Sequence, residues 1–302
     1  MATIGFIGLG NMGGPMAANL VKAGHDVRGF DLVPALQEAA RKTGVAVVAS
    51  AGATAQGADL VITMLPAGQQ VRDIYDDTAG PLAVAAAGTL FVDCSTIDIE
   101  SARAAHAAAQ AAGMASLDAP VSGGVGGAVA GTLTFMVGGA DDAFARADPV
   151  LAAMGKRIVH CGGAAAGQAA KICNNMILGI SMIGVSEAFV LAEKLGLSHQ
   201  ALFDVASTSS GQCWSLTNYC PVPGPVPASP ANNSYRPGFA TALMVKDLTL
   251  AQDAAKATGA ETELGRHAAA IFSRFAQEGH AGVDFSGIVN AIRAWSGGGE
   301  PA

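Results

Sequence analysis

A chain of 302 residues is long enough for two domains, each burying its own core. Its formal net charge of −7 argues against nucleic-acid binding as the main activity, because neutralising phosphates takes a basic surface. Five scattered cysteines without a CxxC pair and six histidines without an HxxxH pair speak against a metal site and for reduced core thiols.

The chain opens on the strand-like Thr3-Ile4-Gly5-Phe6-Ile7 without a basic leader, so no signal peptide is expected and the cytoplasm is the default. The strand-like runs are 4–8, 27–31, 60–65, 90–95, 115–120, 132–137 and 157–161, alternating with Ala-rich helical stretches. Such alternation predicts a Rossmann-type, doubly wound α/β sheet. Past Gly167 the pattern changes: 168–195 reads as one helix about 40 Å long, stopped by Gly196. Its stretch 176–192 is apolar enough to raise a membrane span. Interruption by Ser181, Ser186 and Glu187 favours a buried or subunit-interface helix instead. Helices are also expected at 198–207, 241–258, 261–278 and 285–294, with a Pro/Asn/Ser-rich loop over 221–237. The resulting plan is an NAD-binding domain at 1–163, an all-helical substrate and dimerisation domain at 164–295 including the linking helix, and a flexible tail at 296–302.

Gly8-Leu9-Gly10-Asn11-Met12-Gly13 is a GxGxxG preceded by a strand and followed by a helical stretch. Gly8 allows the tight turn, Gly10 lets a pyrophosphate approach the backbone, and Gly13 permits close helix–strand packing. The helix start then turns free N–H groups and a positive dipole end towards the phosphates. Asp31, ending the second strand, suits the ribose hydroxyls of NAD and repels a 2′-phosphate. Leu32-Val33-Pro34 supplies no base for NADP, so NAD is the expected cofactor.

Three further segments complete a resemblance: Asp118-Ala119-Pro120-Val121-Ser122-Gly123-Gly124, Gly167-Gln168-Ala169-Ala170-Lys171-Ile172-Cys173-Asn174-Asn175, and Lys246-Asp247-Leu248. With the first motif and in this order, they resemble the β-hydroxyacid dehydrogenase family, whose fold is shared with 6-phosphogluconate dehydrogenase. The likeness covers nearly the whole chain except its tail. The segments Ser209-Ser210-Gly211-Gln212-Cys213-Trp214, 219–227 and 239–250 are similar to the branch that oxidises 3-hydroxyisobutyrate. The resemblance implies that Leu65, Pro66 and Lys246 touch the cofactor, that Thr96 lies near the nicotinamide ribose, and that Asp247 belongs to the substrate site. Two positions depart from the pattern: Gln70, where some relatives carry an NAD-contacting Asn, and Ala165, where a further Gly is usual.

Alcohol oxidation needs a base within reach of the hydroxyl proton, and in the absence of a His pair or a metal a lysine is the economical choice. Lys171 and Asn175 share a helix face at i and i+4, so both can address one small-molecule β-hydroxyacid. Ser122-Gly123-Gly124 can offer backbone N–H groups and a hydroxyl to its carboxylate. Trp214, Tyr219 and Phe239 make an apolar wall for a methyl group, or else are ordinary core aromatics. The expected reaction is reversible oxidation of 3-hydroxyisobutyrate to methylmalonate semialdehyde, a valine-breakdown step. L-Serine, D-glycerate, tartronate semialdehyde and 3-hydroxypropionate are the alternative substrates. A non-catalytic dinucleotide-binding or chromatin-reader module would lack Lys171 or carry basic segments, and an imine reductase usually replaces the lysine. No nucleic-acid, membrane or metal partner is expected. The apolar stretch of the long helix predicts a homodimer or homotetramer.

Overall fold

The computed structural model describes residues 1–297. All but Ser296 and Gly297 of the expected flexible tail lies outside the described residues. Internal contacts divide the chain into two units, Met1–Lys171 and Ile172–Ala302. This division falls inside the long helix.

Unit 1 holds a nine-stranded sheet: β1 (Thr3–Ile7), β2 (Asp26–Phe30), β3 (Ala46–Val47), β4 (Leu60–Thr63), β5 (Leu90–Asp93), β6 (Ala115–Asp118), β7 (Val121–Ser122), β8 (Leu133–Gly139) and β9 (Gly155–Gly162). The first six run parallel in the order β3-β2-β1-β4-β5-β6. β8 pairs antiparallel with β6 and β7 and parallel with β9. Every residue of β4 and β5 is buried, as expected of parallel strands covered on both faces. Side chains alternate between those faces. Leu60, Ile62, Leu90 and Val92 join Met16, Leu20 and Ala147 in one core. Val61 and Phe91 join Val71, Tyr75 and Ala105 in the other. This is the doubly wound arrangement that the β/α alternation implied. The two-residue strands β3 and β7 were too short to leave a period in the sequence.

Unit 2 is helical. Beyond the rest of the Ala166–Lys194 helix it contains His199–Ala206, Trp214–Thr217, Thr241–Thr258, Glu263–Phe275 and Ile288–Trp295. Its core gathers Met182, Phe189, Met244, Leu248, Phe272 and Phe285. The helix expected over 261–278 ends at Phe275 and continues as a wide turn, Ala276–His280, broken by Gly279 at φ 97°. The stretch expected as a helix from 285 begins as a tighter 3₁₀ turn, Phe285–Gly287. The loop over 221–237 is tied down by its own side chains. Ser229 Oγ donates to the Cys220 carbonyl, Asn232 bridges Gly224 N and Val226 O, and Tyr235 Oη donates to Pro221 O.

Among the described residues the Ala166–Lys194 helix is the one long and apolar enough to cross a membrane, and 44% of its most apolar window is buried. Ile177 and Leu191 on it are exposed. The expectation of core thiols needs correcting. All five cysteines are free, but only Cys94 and Cys220 are buried, while Cys173 is exposed.

Candidate active site

The glycine loop after β1 is built as its spacing demanded. A Cβ on Gly13 would sit 1.9 Å from the Gly8 carbonyl oxygen, so no other residue lets the Gly13–Lys22 helix start this close to the strand. Gly10 has no atom within 4 Å of where its Cβ would be, which leaves open space beside the backbone as a pyrophosphate requires. Leu9 directs its side chain into the core and donates its amide to Asp31 Oδ2 at 2.7 Å, so it shapes the loop. Asn11 is exposed, and Met12 packs against the core. Asp31 also accepts from Val33 N at 2.8 Å through Oδ1. A carboxylate has about four acceptor sites, so capacity for ribose hydroxyls remains. Leu32 and Val33 beside it are exposed and uncharged. The residues fit NAD.

The loops after β4 and β5 are held together by a buried carboxylate. Asp93 Oδ1 accepts from Thr63 Oγ1 at 2.7 Å and from Ser95 Oγ at 2.6 Å. Ser95 Oγ in turn accepts from Leu65 N at 2.8 Å. This chain of bonds fixes the Leu65-Pro66 and Thr96 segments, all expected to line the cofactor. Burial raises the Asp93 carboxyl to a pKa of about 6, against the opposing hydrogen bonds of Ser95 and Thr63.

Ser122, in β7, pairs in register with Thr134. Gly123 and Gly124 follow with φ of +136° and +61°, conformations that glycine alone adopts without strain. At the start of the long helix Lys171 is buried at 6% exposure, which sets aside a snorkelling surface lysine. That helix start is anchored by Asp118. Its Oδ1 accepts from Ala165 N and its Oδ2 from Gln168 N, both at 2.8 Å. His106 lies against the same Oδ1 at 3.0 Å and meets Ser116 Oγ through Nδ1. Ala165, flagged by the missing glycine, takes a φ of +67° while buried. A non-glycine residue held there stores about 1 kcal/mol or more.

In unit 2, Asn175 is buried and donates its amide to Asp247 Oδ2, while its Oδ1 accepts from Asn174 Nδ2 at 2.9 Å. Asp247 is 4% exposed, and Lys246 is half-buried beside it in the Thr241–Thr258 helix. The three aromatic residues do come together. Trp214 stacks on Tyr219 with centroids 4.9 Å apart, Tyr219 on Phe285 at 5.4 Å, and Phe239 meets Phe285 edge-on at 5.7 Å. Trp214 remains 50% exposed, so it is no ordinary core residue. The fully buried Asp284 organises this wall. Its Oδ2 accepts from Tyr219 Oη at 2.8 Å, Gly238 N at 2.9 Å and Phe239 N at 3.0 Å. Burial, then the Asp284 charge and hydrogen bond, push the Tyr219 phenol far above its usual range, so it stays protonated.

Sequence reasoning passed over Asp93, Ser95, Asp118, Gln168, Asp284 and Phe285. Asp118 and Gln168 stood inside segments that carried the resemblance, which was the available signal. Asp284 and Phe285 had none, because their partners Tyr219 and Phe239 lie far off along the chain, 65 and 45 residues from Asp284.

Two family models cover the chain. Residues 3–163 match the NAD binding domain of 6-phosphogluconate dehydrogenase, and residues 165–292 match the NAD-binding region of NADP-dependent 3-hydroxyisobutyrate dehydrogenase. A 3-hydroxyisobutyrate dehydrogenase of Pseudomonas aeruginosa is 52% identical over 97% of this chain and 99% of its own. An NAD-dependent L-serine dehydrogenase of the same organism is 48% identical over 95% and 96%. The structure of Mycobacterium tuberculosis 3-hydroxyisobutyrate dehydrogenase with L-serine superimposes with a TM-score of 0.93 at 58% identity, covering 97% of this chain and 99% of that one. With its cofactor loop, its buried lysine and these relatives, the chain belongs to the β-hydroxyacid dehydrogenase family and is an NAD-dependent dehydrogenase acting on a CH–OH group.

Proposed function

We propose that the protein reversibly oxidises the primary alcohol of (S)-3-hydroxyisobutyrate to methylmalonate semialdehyde, a step of valine breakdown, with Lys171 carrying the proton. The observation that carries this reading is a buried lysine on a helix start anchored by Asp118. Bound NAD supplies the hydride acceptor. Gly8, Leu9, Gly10, Asn11, Met12 and Gly13 form its phosphate loop, Asp31 holds the adenosine ribose, and Leu65, Pro66 and Thr96 form the next contacts. Neutral Lys171 accepts the hydroxyl proton at Nζ as the C–H bond gives up its hydride. In the reverse direction its ammonium returns that proton to the carbonyl oxygen. Ser122, Gly123 and Gly124 take the substrate carboxylate through N–H and hydroxyl donors. In unit 2 the reading assigns Asn175 to the substrate, with its amide oriented by Asp247, and Lys246 to the cofactor. Trp214, Tyr219 and Phe239 supply an apolar surface for the C2 methyl group.

Oxidation of L-serine is the second reading, favoured by the 48% identical L-serine dehydrogenase and by the L-serine complex of the mycobacterial relative. The apolar faces of Trp214 and Phe239 suit a C2 methyl group, which supports the methyl-bearing substrate, whereas a C2 ammonium would meet them only through cation–π contact. Steady-state rates of NADH formation with (S)-3-hydroxyisobutyrate, L-serine, D-glycerate and 3-hydroxypropionate separate the two. A kcat/KM highest for 3-hydroxyisobutyrate is expected, and a preference for serine overturns the substrate assignment. A cytoplasmic homodimer or homotetramer is part of the same proposal, supported by the exposed apolar Ile177 and Leu191. Sedimentation as a monomer at low concentration contradicts it.

A further inference from the structure

Hydride and proton transfer require the Thr96 segment and Lys171 to keep a fixed register, yet the two sit on different elements of unit 1. Gln168 spans them. It is fully buried at 0% exposure, and its side-chain amide makes two hydrogen bonds, neither to its own helix. Nε2 donates to the Ser95 carbonyl at 2.7 Å, and Oε1 accepts from the Ile97 amide at 3.1 Å. Those two partners are the residues on either side of Thr96. Lys171 lies three residues further along the helix, on the same face as Gln168.

Both ends of this link are themselves held. The Gln168 main-chain amide donates to Asp118 Oδ2 at 2.8 Å, which fixes the helix side. Ser95 is fixed on the loop side by Asp93 Oδ1, and through Ser95 Oγ the Leu65 amide is drawn into the same array. A glutamine serving packing alone would be as well served by an apolar side chain of equal volume, since burying an amide gains nothing unless its hydrogen bonds are needed. Here both bonds go to the backbone of one cofactor segment.

We propose that Gln168 is a positioning residue for the dehydrogenase reaction, holding the Thr96 segment in register with the proton-carrying Lys171; this rests on the function proposed above. Gln168 itself touches neither reacting group. Its removal therefore impairs transfer without removing the phosphate loop or Asp31, which bind the rest of the dinucleotide.

Gln168→Met removes both bonds at nearly constant volume. The expected result is a kcat about 10- to 100-fold lower per folded molecule, the loss that small misplacements of reacting groups produce. The NAD dissociation constant, measured by fluorescence titration, stays within about threefold, because the ADP-side contacts remain. The primary deuterium isotope effect on hydride transfer rises. Gln168→Glu adds a test that packing cannot mimic. Its protonated carboxyl regains a donor for the Ser95 carbonyl, and its carboxylate has none. In the reductive direction its rate relative to wild type therefore climbs as pH falls. Should Gln168→Met fail to fold, this pH profile decides. A wild-type kcat in Gln168→Met, a kcat loss matched by a proportional loss of NAD binding, or a pH-independent Gln168→Glu ratio each overturns the proposal. Lys171→Ala measured alongside keeps the two ideas apart. If that variant turns over normally, the underlying reading falls. If it is inactive while Gln168→Met matches wild type, this inference alone falls.

Discussion

In unit 1 the candidate site segments are placed by buried polar side chains. Asp93, Asp118 and Gln168 bond to backbone amides and carbonyls of the segments that follow β5 and β9, and Ser95 Oγ takes the Leu65 amide of the loop after β4. In unit 2 the aromatic wall rests on one carboxylate, Asp284, which gathers Tyr219 and the Gly238-Phe239 backbone, and stacked rings do the remaining work there. Polar wiring of the first kind fixes positions closely but leaves charge in the interior. Asp93, with its raised pKa and an Oδ2 that has no hydrogen-bond partner, bears that burden. Ring stacking is less directional and presents an apolar face that a small substituent can fill. The proposed function uses the first for a cofactor common to many dehydrogenases and the second for the methyl group of one small acid.

The sharpest way to break this comparison is to remove the carboxylate behind the aromatic wall of unit 2. Asp284→Ala leaves the Tyr219 hydroxyl and several amides without their buried acceptor, so a destabilisation of about 4 kcal/mol is expected in urea melts. A loss below about 1 kcal/mol would mean that the rings hold the wall unaided.

A slightly smaller effect tests the wiring of unit 1. Asp93 carries a folded pKa of about 6 against an ordinary value of 3.8, so the folded state binds the proton more tightly than the unfolded state. Its contribution is therefore complete below the unfolded value, declines as pH rises between roughly 4 and 6, and is lost above that, about 3 kcal/mol in all. Asp93→Asn should flatten this part of the stability–pH curve. An unchanged curve would show that Asp93 is not the titrating group.

Third in size is cofactor choice. Asp31→Ala should weaken NAD binding by about 2 kcal/mol, roughly 30-fold, while NADP binding improves for want of the like charge. Isothermal titration with both dinucleotides reads this directly, and equal losses for NAD and NADP would contradict the role given to Asp31. The smallest expected change is Ala165→Gly, which relieves a left-handed alanine. A gain of up to about 1 kcal/mol in chemical denaturation is expected.

The sequence reading was strongest where constraint is local. The GxGxxG loop and the fully buried strands declared themselves because glycine conformation and apolar runs act within a few residues. The long helix, expected over 168–195, spans Ala166–Lys194. What escaped was set by distant partners. Asp118 acts on residues 47 and 50 positions away, and Gln168 on residues 71 and 73 positions away, so neither role leaves a local pattern. Trp214, Tyr219 and Phe239 were legible as candidates, but not that Phe285 sits among them as the ring on which Tyr219 and Phe239 both converge. The irregular turn at 276–280 follows from Gly279, whose positive φ ends a pattern that periodicity alone would have continued.

The central claim, that Lys171 carries the proton in an NAD-dependent alcohol oxidation, is tested most directly by Lys171→Ala. NADH formation from (S)-3-hydroxyisobutyrate and NAD binding are to be measured on the same preparations. Loss of turnover by about 10³-fold or more, with the NAD dissociation constant unchanged, is the predicted result. A variant that binds NAD and turns over within about tenfold of wild type would place the proton on another group and contradict the mechanism.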